Sequence, residues 1–109
     1  MVNVLKVLAQ SYPSATTLTS IYTTPSLTST VVSSIFVCNQ TSNIATFRIA
    51  VSPTGVTIIN SHYIYYDVEI QGNDTMNLVS GITLATTDVI RVYSSILGLS
   101  FNVFGQENS

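Results

Sequence analysis

Between Ile44 and Val51 the chain alternates strictly: Ala45, Phe47, Ile49 and Val51 are apolar, with Thr46 and Arg48 between them. Successive side chains of an extended strand point to opposite faces, so a period of two marks one face for burial and one for solvent. The same period recurs along most of the chain. Turn signals separate the runs at intervals of about 8–12 residues, the spacing of a sandwich or barrel. Ser and Thr contribute 15 residues each, and with the many Val and Ile they give a β-branched composition that suits pleated strands and disfavours helices.

The first predicted strand is 2–9, and Pro13 interrupts it. Residues 16–24 follow, with Leu18 and Tyr22 to one side, until Pro25 ends the run because proline cannot donate to a sheet ladder. The strand 30–39 is the most apolar: Val32, Phe36 and Cys38 share one face, and Val31, Ile35 and Val37 the other. Such a strand is either central or covered by a neighbouring subunit. Polar Gln40–Asn43 then suggests a hairpin to 44–51. After the breaker residues Pro53 and Gly55, 56–59 reads as a short extension. In 61–70, Ile64, Tyr66, Val68 and Ile70 form the core face, and Tyr63, Tyr65, Asp67 and Glu69 the opposite one. Short strands 75–79 and 82–84 flank Gly81. In 89–94, Ile90 and Val92 point inward, which leaves Val89 outward; Leu99, Phe101 and Val103 alternate inward in the last strand. The expected fold is all-β, a single domain over 1–109 with a loose tail at 106–109. Its natural form is an antiparallel two-sheet β-sandwich of about eight strands, jelly-roll-like.

Charge is scarce. Charged residues make up 7% of the chain, against about 25% in an ordinary domain. The basic residues are Lys6, Arg48 and Arg91. Nucleic-acid binding needs several cations to neutralise phosphates, and a membrane surface needs a basic cluster, so neither partner is expected. Lys6 within the first apolar stretch makes a poor signal-peptide core, and no run of about 20 apolar residues predicts a spanning helix. A surface of Ser and Thr with low net charge promotes association. The expectation is a subunit of an assembly.

Catalytic groups are equally sparse. Cys38 and His62 are the single cysteine and histidine. They could form a nucleophile and base, but a thiol amid apolar strand residues usually behaves as a small hydrophobe. One His and one Cys do not make a zinc site, and no cofactor is expected. Asp67 and Glu69 lie two apart on one strand. That spacing suits half of a glycosidase pair or calcium site; the structural alternative is a solvated strand face, or partners for Arg48 and Arg91. That structural alternative is favoured, and no enzymatic activity is expected. Asp74 and Asp88 sit in polar turns as Asx-type residues, and Asn39 and Asn73 begin glycosylation-like triplets of low specificity. Exposed Tyr63 and Tyr65 suit a contact between subunits better than sugar stacking, since tyrosine joins apolar area to a hydroxyl. The candidate contact residues are Tyr63, Tyr65, Val31, Ile35, Val37 and Val89.

Several segments carry a family resemblance. They are Leu8-Ala-Gln10 with Pro13, Thr17-Leu-Thr19 with Tyr22 and Pro25, Val31-Val-Ser33, Val37-Cys-Asn39 and Phe47-Arg-Ile49. Tyr63-Ile-Tyr-Tyr-Asp67, Asn73-Asp-Thr75, Gly81-Ile-Thr-Leu84, Asp88-Val-Ile-Arg-Val92 and Leu99-Ser-Phe101 with Phe104-Gly105 continue it. With these the chain resembles small virion structural proteins of tailed bacteriophages, of the cyanophage and marine-phage type. The resemblance covers nearly the whole chain and includes no catalytic motif. It implies a virion component assembled in the host cytoplasm, first of all a capsid decoration or cement protein. The partners would be the major capsid protein or other virion proteins, with a homo-oligomer, a trimer foremost, as the working form. The alternative it leaves open is a tail, baseplate or fibre-associated β-module that binds host glycan.

Overall fold

A computed structural model describes residues 2–79 and 81–109. Its strands are β1 (Asn3–Ser11), β2 (Thr19–Thr23), β3 (Ser29–Asn39), β4 (Ala45–Ser52), β5 (Tyr63–Ile70), β6 (Thr75–Leu78), β7 (Ile82–Leu84), β8 (Val89–Ser94) and β9 (Leu99–Asn108). Between β4 and β5 lie two short 3₁₀ turns, Pro53–Gly55 and Asn60–His62. Residues 56–59, expected to extend a strand, run without strand pairing.

The first half of the chain pairs with the second in reverse order. β1 joins β9, β2 joins β8, β3 joins β6 and β7, and β4 joins β5, all antiparallel. The chain is therefore one long ribbon doubled back at 53–62. Rolling this ribbon adds two further pairings, β9 with β3 and β8 with β4. The result is sheet A, in the order β1-β9-β3-β6 with β7 also on β3, and sheet B, in the order β2-β8-β4-β5. With β6 and β7 taken as halves of one interrupted strand, this is the eight-strand connectivity of a jelly roll. The expected antiparallel sandwich is the fold.

The core fills the space between the sheets. Phe47, Ile49, Ile90 and Val92 of sheet B meet Val32, Ile35, Val37, Leu99, Phe101 and Val103 of sheet A, all fully buried. Phe47 and Phe101 bridge the sheets edge to face, with ring centroids 6.1 Å apart. Alternation predicted the inward residues of β4, β8 and β9.

Three expectations need correction. β3 and β4 are not a hairpin, because they belong to opposite sheets and Gln40–Asn43 crosses between them. Polar turn residues signal a reversal of the chain but not which sheet receives it. Buried Asn39 fixes the corner: its Nδ2 donates to the carbonyls of Asn43 and Ile70, and its Oδ1 accepts from the Thr41 amide and hydroxyl. That amide is fully engaged and 1% exposed, so the Asn39 triplet offers no glycosylation acceptor in the folded chain. Nor are residues 106–109 a loose tail. β9 runs to Asn108, and the Val2 and Ser109 backbones exchange hydrogen bonds of 2.6 and 2.9 Å.

The third correction concerns β3. A bulge at Ser33 leaves Val32 opposite Gly105 and Ser34 opposite Phe104. The extra residue reverses the side-chain parity beyond it. Val32, Ile35 and Val37 thus share the inner face, while Val31, Phe36 and Cys38 share the outer one. A second bulge at Leu8 in β1 flanks the same point of β9 from the other side. There Gly105 is squeezed between neighbours. A Cβ on it would lie 2.1 Å from the Val31 carbonyl oxygen and 2.9 Å from Leu8 Cδ1.

Two substitutions test this packing. Phe101→Ala should cost about 3–5 kcal/mol by opening a cavity between the sheets. Gly105→Ala should cost about 1–3 kcal/mol, because a methyl group must displace backbone. Urea unfolding followed by circular dichroism reads both.

Candidate interaction surfaces

Antiparallel partners share a face, so the strand registers assign every outward side chain. On sheet A the outward rows cross the strands in order. Leu5, Gln106, Val31 and Thr83 form one row. Val7, Phe104 and Ser34 form the next. Gln10, Asn102, Phe36 and Asn77 form another, followed by Ser100, Cys38 and Thr75. Phe36 and Phe104 meet edge to face at 5.7 Å. Leu5 is 80% exposed, Val7 48% and Val31 39%. No Lys, Arg, Asp or Glu among the described residues of these strands points outward. Lys6 and Glu107 belong to the inner rows, opposite Gly105 and Val4.

Those two charges close the end of the sandwich. Lys6 Nζ lies 3.0 Å from Glu107 Oε1, and the Tyr22 hydroxyl of sheet B donates to Glu107 Oε2. The Tyr22 and Thr30 hydroxyls are 2.9 Å apart. The cluster thus ties β1 and β9 to β2 and holds in place the edge strand that carries Leu5 and Val7. Burial, followed by the hydrogen bond to Glu107, pushes the Tyr22 phenol up to about 12. The hydrogen bonds from Tyr22 and then Lys6 hold the Glu107 carboxyl below its usual range.

The outer face of sheet B has the opposite character. Arg48 on β4 donates from Nε to Asp67 Oδ1 at 2.6 Å and from a terminal nitrogen to Oδ2 at 3.3 Å. Its guanidinium carbon sits 4.2 Å from the Tyr66 ring centroid and 4.4 Å from that of Tyr93. Tyr63 meets Tyr66 edge to face at 5.0 Å. The carboxylate pairing raises the Arg48 pKa further above its already high value. Of the roles weighed for Asp67, partnership with Arg48 is the one formed. Glu69 lies opposite Thr46. Cys38 lies on the outer face of sheet A, whereas His62 ends the 3₁₀ turn before β5 and its Nδ1 accepts from the Ile59 amide, so they form no pair. Asp88 serves its turn, accepting from the Thr54 and Ala85 amides.

The sequence-derived contact set divides. Val31 lies on the exposed outer face of sheet A. Ile35 and Val37 are 0% exposed because the Ser33 bulge turns them inward, and they present no surface to another chain. Val89 keeps its outward parity opposite Ser52, but Gly55 and its turn fold over it, leaving 6% exposed. Tyr63 points outward opposite Ala50, whereas Tyr65 pairs with Ile49 and packs on Phe47. β5 carries two bulges, of which the first separates these tyrosines. One lies at Ile64, and the other sets Tyr66 and Asp67 together opposite Arg48. Asp67 takes up the second with a φ of 51°. Tyr66, Arg48 and Tyr93 are thereby added to the outer site, and Leu5, Val7 and Phe104 to the sheet A face. The available cue was an aspartate inside a strand, a residue that tolerates left-handed backbone.

Comparison with protein-family models, curated proteins and solved structures finds no match to this chain.

The Glu107 cluster makes stability depend on pH. A carboxyl with a lowered folded pKa stabilises fully above its ordinary range near pH 4.3 and loses that contribution as pH falls through the folded value. Urea midpoints should therefore decline below about pH 5, and Glu107→Gln should remove part of the decline. Tyr22→Phe should cost about 1–3 kcal/mol at neutral pH by taking a donor from a charged acceptor. An unchanged midpoint in that variant would show that the cluster does not fasten the sheets.

Proposed function

We propose that this chain is a bacteriophage virion structural protein, a decoration or cement protein that binds the head shell through the outer face of sheet A. The observation that carries this reading is the absence of outward charge among the described residues of that face, beside exposed Leu5, Val7 and Val31. Burying a charge costs far more than burying amide and hydroxyl groups that find hydrogen bonds in the contact. The face therefore pays little desolvation on association, and its aliphatic and aromatic side chains gain from leaving water. Gln106, Asn102, Gln10 and Asn77 supply neutral donors and acceptors between them. The resemblance of the sequence to tailed-phage virion proteins supports the same reading. In it, copies join as a homo-oligomer, a trimer foremost, over joints between major capsid subunits and clamp them.

Co-sedimentation with capsid shells that lack the protein tests this. Val31→Lys and Leu5→Lys place a cation in the contact at positions that are exposed in the free chain. Each should weaken shell binding by at least about tenfold, or 1.4 kcal/mol. Glu69→Gln on the opposite sheet should leave binding unchanged. Light scattering should give an oligomer at assay concentration. A monomer without affinity for shells would refute the proposal, and cryo-microscopy density on the tail would move it to the alternative site.

A further inference from the structure

We propose that the outer face of sheet B carries a binding site for a neutral sugar, with the pyranose ring stacked on Tyr66 beside Tyr63 and Asn60. This goes beyond the shell-binding role, which uses the other sheet, and neither depends on the other. Asn60, Tyr63 and Tyr66 line a cleft at the start of β5. Strict alternation would direct Tyr66 into the core. The bulge at Tyr66 and Asp67 turns it out instead, and it stands 57% exposed. Bulges next to binding sites characteristically re-aim a side chain in this way. Asp67 takes up the left-handed backbone of that bulge.

The ring is also held before any ligand arrives. Arg48 stacks 4.2 Å from its centroid, Tyr63 braces it at 5.0 Å, and Asp67 and Tyr93 fix Arg48 in turn. A fixed platform loses little side-chain freedom on binding, which raises the affinity available to a small ligand. The chemistry suits a sugar. A pyranose offers an apolar C–H face to an aromatic ring and hydroxyls around its rim. Asn60, which lines the same cleft, offers its amide to that rim. Arg48 and Asp67 neutralise each other, so the pair that holds Tyr66 gives a sialylated or sulfated glycan no net counter-ion.

The test is a glycan array carrying neutral hexose and N-acetylhexosamine oligosaccharides beside sialylated ones, followed by NMR titration of the intact chain with the best neutral binder. Binding to neutral glycans is expected, with the Tyr63 and Tyr66 resonances shifting. Tyr66→Ala should weaken it by about tenfold or more, and Asn60→Ala by less. Tyr12→Ala, which removes a tyrosine 52% exposed elsewhere, should not alter it. Tyr66 is exposed, so its variant is expected to fold, and its circular dichroism melt checks this. No binding on the array, binding confined to sialylated glycans, or binding that survives Tyr66→Ala would each overturn the site. Protection of Tyr66 by a neighbouring protein in the assembled particle, without sugar binding, would do the same.

Discussion

Hydrogen bonding along both edges of β9 governs the arrangement of this molecule. The strand pairs with β1 on one side and β3 on the other over almost its whole length. A β-strand buried between two neighbours needs both ladders in register, because unpaired backbone groups are costly away from water. Here the registers are reconciled by bulges at Leu8 and Ser33 that meet beside Gly105. One partner stands near the start of the chain and the other, β3, within its first half. Sheet A therefore closes only once distant segments meet, the regime in which folding is slow. The Tyr22–Glu107–Lys6 cluster then joins the closed sheet to its neighbour.

The two exterior faces divide the chemistry between them. Sheet A shows aliphatic, aromatic and amide groups, while sheet B carries the Arg48–Asp67 pair with its tyrosines, Glu69, and Arg91 close to Ser52 and Gly55. So unequal a distribution of so few charges gives the thin sandwich two different solvents to meet. A neutral face suits protein contact without ionic complementarity. A rigid aromatic and ionic face suits a ligand that is read by stacking and hydrogen bonds.

Much of the fold was legible because β4, β8 and β9 keep their alternation along the core. Phe47, Ile49, Ile90, Val92, Leu99, Phe101 and Val103 could be placed inside by counting in twos. The same counting misplaced Ile35, Val37, Tyr65 and Tyr66, because each lies beyond a bulge and one extra residue inverts every later side chain. Bulges arise from pairing partners that a single strand does not announce. Asp67 and Gly105 marked two of them, being residue types that sit poorly within a regular strand. Val89 failed for another reason: its face was read correctly, but a turn from elsewhere in the chain covers it. The hairpin assigned to β3 and β4 failed because a polar turn reports a bend without its destination.

The hydrogen bonds between Val2 and Ser109 bring the two described extremities onto adjacent strands, which run about 5 Å apart. A short peptide would bridge them. Joined there and cut instead among the exposed residues of 56–59, the polypeptide would become a circular permutant with every sheet partner retained. Its order of synthesis would be inverted. The pairing of β1 with β9, now the most distant in sequence, would become the most local, and that of β4 with β5 would span the entire length.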